Sequence, residues 1–358
     1  MRKLFIFLVM MFICVNANSA QFLYKDVCLN GQGDAGGNCD YTTLESCMNA
    51  NEQDLTGDGW FDVEIKGAWS GNDTTNVIVH NYTTTADDYI NIFTNGNARH
   101  DGTASKSGAY KLKVTGRGIY FPGGVAAPYI TIDGLVIDIT SNGNYQHCIT
   151  AEHILNSAFT MNIKNNVLMY SGGTGNGTSG FSNCTGSTLT GEVFNIYNNI
   201  VYGFDSANYT GMYLEETVNL FNNTAYGCYN GFWAGDSTIV AKNNISYNNS
   251  NADFLGTFSS SSTHNASSDT TAPEFNTWYD SISLTFADAA NGDFHLVAGD
   301  TDAIDKGTDL SGIFTTDIDG DTRTDPWDIG ADEYVSSVSP IIKLKGDMRF
   351  KGDVRFFN

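Results

Sequence analysis

Hydrophobic positions along this chain come in short runs of three to five residues, rich in β-branched and aromatic side chains and separated by Gly, Asn and Ser. Such runs with tight polar breaks predict short strands joined by sharp corners. The 3.6-residue periodicity of an amphipathic helix is not visible in the body of the chain. Four segments share one pattern: NIKNNVLMY (162–170), NIYNNIVYG (195–203), NLFNNTAYG (219–227) and VAKNNISYN (240–248). Each holds a strand, an Asn-Asn pair and a second strand with a Tyr near its end. The pairs begin at Asn165, Asn198, Asn222 and Asn243, giving periods of 33, 24 and 21 residues. An earlier relative, YITIDGLVIDI (129–139), has Asp-Gly at the corner.

Periods of this size predict a stacked repeat in which each unit buries its apolar face against its neighbours. Asn tolerates the left-handed backbone that a tight corner demands, and stacked Asn side chains hydrogen-bond from one coil to the next. The long first period contains a Gly-rich stretch, 171–187, which is expected to loop out of one coil.

These coils resemble a right-handed parallel β-helix of the pectin-lyase-like superfamily. The stretch GDFHLVAGDTDAIDKGTDL…DIDGDTRTDPWDIGADEY (292–334) is similar to the closing segment of many secreted β-helix proteins. The stretch CDYTTLESCMNANEQDLTGDGWFDVEIKG (39–67) resembles the opening of β-helix proteins from marine bacteria and phages, where a short helix and first coil cap the stack. The resemblance implies an all-β, single-solenoid fold. It does not imply an activity, because that architecture carries lyases, hydrolases, adhesins and appendage proteins. The expected organisation is a leader at 1–20, a cap and first coil at 21–67, the β-helix at 68–335, and a linker with an amphipathic strand at 336–358.

The leader is read from Arg2 and Lys3, the apolar run Leu4 to Val15, and the small residues before position 21. This is the form of a secretory signal, too short for a comfortable membrane span. The expectation is an exported, soluble protein without a membrane span. Six cysteines remain beyond the leader, and Cys28, Cys39 and Cys47 crowd the N-terminus, so one bridge among these three is expected.

Charge removes one function class. The formal net charge is −22, and between Arg117 and Arg323 there is no arginine and only three lysines. A nucleic-acid surface needs clustered Lys and Arg, so nucleic-acid partners are excluded. The same scarcity disfavours β-elimination on uronic-acid polymers, which needs cations to neutralise the substrate carboxylate.

Glycoside hydrolysis needs only two carboxyl groups. Glu192 and Glu216 each lie six residues before a corner Asn and should stack on adjacent coils, with Asp236 close to the same column. These three are the candidate catalytic residues, set against a solvated polar face. Tyr229, Phe232 and Trp233 in CYNGFWAGD are candidate sugar-stacking residues, with core filling expected for half of them. Calcium is considered at two Asp/Gly-rich turns. DLTGDGWFD (54–62) opens like an EF-hand but has Ile65 where the bidentate Glu belongs. DIDGDTRTD (317–325) offers Asp317, Asp319, Asp321 and Asp325. A metal-free turn is the plainer reading of both. His147 and His153 flank Glu152 without a third metal ligand in view, and are read as structural.

The last residues, KLKGDMRFKGDVRF, alternate strictly. Leu344, Met348, Phe350, Val354 and Phe356 share one face with two glycines, and charged residues fill the other. That is a strand with a face meant for burial. Residues 340–358 carry +3, whereas 21–339 hold 11 basic against 38 acidic residues. Such a strand must dock on its own helix or on a neighbour's acidic body, and docking on a neighbour, by adding to a sheet edge, would give a homo-oligomer or a filament. The leading functional expectation is therefore a non-catalytic, self-associating surface or matrix protein facing extracellular glycans. A polysaccharide-degrading enzyme is the alternative, and a phage appendage the third reading, which the leader opposes.

Overall fold

The computed structural model describes residues 23–29, 39–57, 59–123, 129–141, 143–152, 159–173, 176–183, 191–235, 238–273 and 279–336. The leader, Asp58, His153, Cys184, Asp236 and the alternating strand at 340–358 lie outside the described residues.

The Asn-Asn corners do what their chemistry allows. Asn165, Asn198, Asn222 and Asn243 all take the left-handed conformation (φ 53°, 54°, 49° and 56°). Gly134 takes the same place in the earlier coil at φ 79°, where a Cβ would lie 2.2 Å from Arg99 Nη1. The second Asn of each pair turns inward and forms a buried ladder. Asn166 Nδ2 donates to Asn199 Oδ1 at 3.0 Å, Asn199 to Asn223 at 2.9 Å, Asn223 to Asn244 at 3.0 Å and Asn244 to Asn265 at 2.8 Å.

Each corner joins a strand of one sheet to a strand of the next, and the chain visits three sheets in turn. The first holds Leu23–Val27, Phe61–Ile65, Ile90–Thr94, Ile130–Asp133, Thr160–Lys164, Val193–Tyr197, Val218–Phe221 and Val240–Lys242. The second holds Lys111–Val114, Val136–Ile139, Val167–Tyr170, Ile200–Tyr202, Thr224–Tyr226, Ile245–Tyr247 and Ala266–Ser267. The third holds Val77–Ile78, Ile119–Phe121, His147–Ala151, Ser179–Ser182, Thr210–Leu214, Asn230–Ala234 and Ala252–Gly256. Neighbouring strands within each sheet are parallel and in register, so the fold is a parallel β-helix.

Inward residues stack into columns. Ile92, Ile132, Ile163, Ile196 and Leu220 follow one another in register, and none is exposed. Each such side chain contributes about 1.5–3 kcal/mol by leaving water. The helix Leu44–Ala50, capped where Ser46 N–H donates to Thr43 Oγ1, buries Leu44, Cys47 and Met48 against the core. The expected bridge is Cys28–Cys39. Cys47 is not part of it and remains a buried thiol, pushed up to about 12 by desolvation.

The C-terminal stretch lies along the side of the second sheet. Val136, Val167, Ile200, Ile245 and Ala266 point outward from this sheet, yet they are buried beneath Ile282, Leu284, Phe286, Phe294 and Leu296. The recurrent tyrosines Tyr202, Tyr226 and Tyr247 belong to the same outward face and pack against Phe286 and Phe294. Both faces of this sheet are thus covered. Arg323 anchors the strap: fully buried, it donates from Nη2 to Asn198 Oδ1 at 2.9 Å and to the carbonyls of Gly330 and Ala331, and from Nη1 to Glu333 Oε2 at 3.3 Å.

Candidate functional site

The outward face of the third sheet floors a groove. The sheet's register aligns Tyr120, Thr150, Ser182, Tyr213 and Trp233 in one outward column crossing five coils. Four inter-strand spacings separate its ends, roughly 19 Å. The groove, of about 490 Å³, lies over this face, with Arg117, Tyr145 and Glu152 toward one end and Tyr213, Trp233 and Asn208 toward the other. His147, Thr150, Thr178, Ser179 and Ser182 line it between them.

At the basic end, Arg117 Nη2 meets Glu152 Oε1 at 2.5 Å, and its guanidinium lies 4.3 Å from the centre of the Tyr120 ring. Tyr120 Oη donates to the other carboxylate oxygen at 3.0 Å. At the aromatic end, Tyr213 and Trp233 meet edge to face at 5.0 Å, and Tyr213 Oη donates to Glu215 Oε1 at 2.6 Å. Two hydroxyls on the floor are anomalous. Thr150 and Thr178 are each 1% exposed, and among the described residues neither Oγ1 has a hydrogen-bond partner. Leaving such a group unsatisfied costs about 1–3 kcal/mol, and each lines the groove.

His147 Nδ1 lies 2.6 Å from Ser179 Oγ, which itself donates to the carbonyl of Phe181 at 2.9 Å. The hydroxyl proton is therefore already engaged, and Nδ1 is the donor of the pair. Burial, reinforced by Arg117, pushes His147 down to about 3, so the ring is neutral. A neutral histidine of such low basicity, with no carboxylate orienting it, is a poor base for activating Ser179. The geometry of the pair is not that of an activated nucleophile.

The residues singled out from the sequence distribute unevenly. Glu192 and Glu216 do occupy adjacent coils, because Phe194 pairs with Val218 and the same offset carries back two residues. Glu192 is 2% exposed, both its oxygens lack a hydrogen-bond partner among the described residues, and burial together with Glu216 pushes it up to about 7. Glu216 sits in the left-handed conformation at φ 58°. Neither lines the groove. Asp236 is outside the described residues. Trp233 lines the groove, Tyr229 packs partly buried against the core, and Phe232 is fully buried against Phe254. Strand alternation decides this: Phe232 and Trp233 are neighbours and face opposite sides of the sheet.

The two Asp/Gly-rich turns use their carboxylates on protein donors. Asp88 accepts from the backbone of Gly57 and Gly59, and Asp54 from that of Thr56. Asp317 accepts from the backbone N–H of Asp319, Gly320 and Asp321 through Oδ1, and from Glu333 through Oδ2. Asp319 faces His295 Nε2 at 2.7 Å, while Asp321 and Asp325 are exposed. Among the described residues, the set with metal-like spacing is His295, Asp319 and Asp332, which shares only Asp319 with the four aspartates. Both nitrogens of His295 already face carboxylates, Asp293 and Asp319, which together with Asp332 raise it to about 10. It acts there as a cation holding the strap.

Arg117, Tyr145, Thr150, Thr178, Ser182, Asn208 and Tyr213 were not among the sequence candidates. Among the described residues, no helix is long and apolar enough to cross a membrane. The chain matches no family model, and neither curated proteins nor solved structures contain a significant match.

Proposed function

We propose that this chain is an exported, non-catalytic β-helix of the pectin-lyase-like superfamily that holds an extracellular glycan along the third-sheet groove. The observation that carries the reading is a pair of buried hydroxyls, Thr150 and Thr178, without a hydrogen-bond partner among the described residues, on the floor of a groove walled by Tyr213 and Trp233. A sugar is both polar at its rim and apolar on its ring faces. It satisfies buried hydroxyls by hydrogen bonding and stacks on aromatic walls at the same time. Five coils give the groove the length of a short run of sugar units. Self-association through the apolar face of 344–356 belongs to the same proposal and rests on sequence alternation and charge contrast. Electrophoresis of the protein through gels containing different soluble polysaccharides tests the binding claim. Retardation by at least one polysaccharide, lost in Trp233→Ala, is expected; unchanged migration across the whole panel overturns it.

A second reading is supported by Glu192, whose buried carboxyl is raised to about 7 beside Glu216, as an acid catalyst requires. Its position off the groove counts against it.

A further inference from the structure

Among the described residues, the groove's lining carries one cation and one anion, Arg117 and Glu152, and they are paired at 2.5 Å. Both oxygens of Glu152 are occupied, one by Arg117 and one by Tyr120. The guanidinium is also packed on the Tyr120 ring, which fixes its plane. The remaining titratable ring, His147, is held neutral by burial and donates from Nδ1 to Ser179, leaving Nε2 as an acceptor without a hydrogen bond among the described residues. The other described side chains that line the site are hydroxyls, an amide and aromatic rings. Around it lies a body of 38 acidic against 11 basic residues over 21–339, whose field repels polyanions.

From this arrangement we infer that the ligand is a neutral glycan, free of carboxylate and sulfate groups, and that the Arg117–Glu152 pair is what excludes acidic chains. The inference rests on the glycan-binding reading and specifies its ligand class. A carboxylated sugar would need an uncommitted cation to offset its desolvation, and Arg117 is committed. A neutral sugar needs only donors and acceptors, which Thr150, Thr178, His147 and Asn208 supply. Selectivity by an internally cancelled charge makes a specific prediction. Freeing Arg117 should turn the groove toward acidic ligands.

Calorimetry with the full-length protein tests this with two probe sets, neutral gluco-, xylo- and manno-oligosaccharides and acidic oligogalacturonates, in low and in physiological salt. Wild type is expected to bind a neutral probe and no acidic one. Glu152→Gln is expected to gain roughly tenfold or more in affinity for oligogalacturonate, an increment set by one uncovered Arg–carboxylate pair. Circular dichroism of the variant establishes that it is folded, and Arg117→Met with Glu152→Gln should cancel the gain. Preference of the wild type for the acidic probe, abolished by Trp233→Ala, overturns the charge inference and leaves the groove a glycan site. Binding of neither probe set overturns both.

Discussion

Asn223 Oδ1 accepts two hydrogen bonds from Asn199, one from its side-chain amide at 2.9 Å and one from its backbone N–H at 3.0 Å. In return, Asn223 Nδ2 reaches the carbonyls of Ile196 and Phe221 and the next rung at Asn244. Every polar atom of this buried side chain is used, and each rung satisfies the corner above it. Asn223→Leu should therefore strand several buried groups at once and destabilise the fold by roughly 3 kcal/mol or more. Thermal denaturation measures it. At the end of the Asn ladder, Leu135 stands in the equivalent position and its N–H donates to Asn166 Oδ1.

Arg323 should behave as the pin of the lateral strap. Arg323→Met leaves Glu333 without its cation and Asn198 without its donor, a change expected to cost about 3–5 kcal/mol. Its signature is exposure of the apolar face at Val136, Val167 and Ile200. A hydrophobic dye should bind the variant before the β-sheet signal melts.

Glu192 makes stability depend on pH in a direction opposite to an ordinary surface carboxylate. Its folded value, about 7, lies above its ordinary value of 4.5, so the folded state holds the proton more tightly. The stability it contributes is fully present below 4.5 and is lost as pH rises through 7. Glu192→Gln should therefore raise stability at pH 8, by on the order of 2 kcal/mol, and change little at pH 4. Melting curves at the two pH values read this out. If the carboxyl is instead an acid catalyst, the same variant loses all release of reducing ends.

The alternating strand at 344–356 should carry association. Burying Met348, Phe350, Val354 and Phe356 contributes about 1.5–3 kcal/mol each, more than screened surface charges supply. Deleting 340–358, or combining Met348→Asp with Phe350→Asp, should give monomers by sedimentation while the melting curve of the β-helix stays in place. A truncated protein that assembles as well as the full chain would show the strand is not the contact.

The corners were legible because their chemistry is local: Asn takes the left-handed turn, and its successor finds the next Asn one coil away. The groove was not, because its residues come from five coils and look like ordinary strand positions taken singly. A faint signal existed. Ser179-Gly180-Phe181-Ser182, Thr210-Gly211-Met212-Tyr213 and Asn230-Gly231-Phe232-Trp233 share a polar-Gly-apolar-X pattern whose last member enters the groove column. Irregular loops between them hide that alignment from a fixed period. Arg117 was seen only as the edge of an arginine-poor stretch, since Glu152, 35 residues on, becomes its partner only once the coils stack. Likewise, the C-terminal stretch gave no sign that it lies along the side of the second sheet, because the outward Val and Ile that receive it read as ordinary alternation until their cover is in place.

The most direct test is to incubate the full-length protein with a panel of polysaccharides at pH 5, 6, 7 and 8, and to measure retention and product formation in the same samples. Retention of a polysaccharide without new reducing ends or unsaturated sugars is expected, with an affinity that is flat over this range, because His147 stays neutral. Trp233→Ala and Thr150→Val should each weaken retention. Product release that tracks a titrating group, or retention indifferent to both substitutions, would contradict a non-catalytic glycan groove on the third sheet.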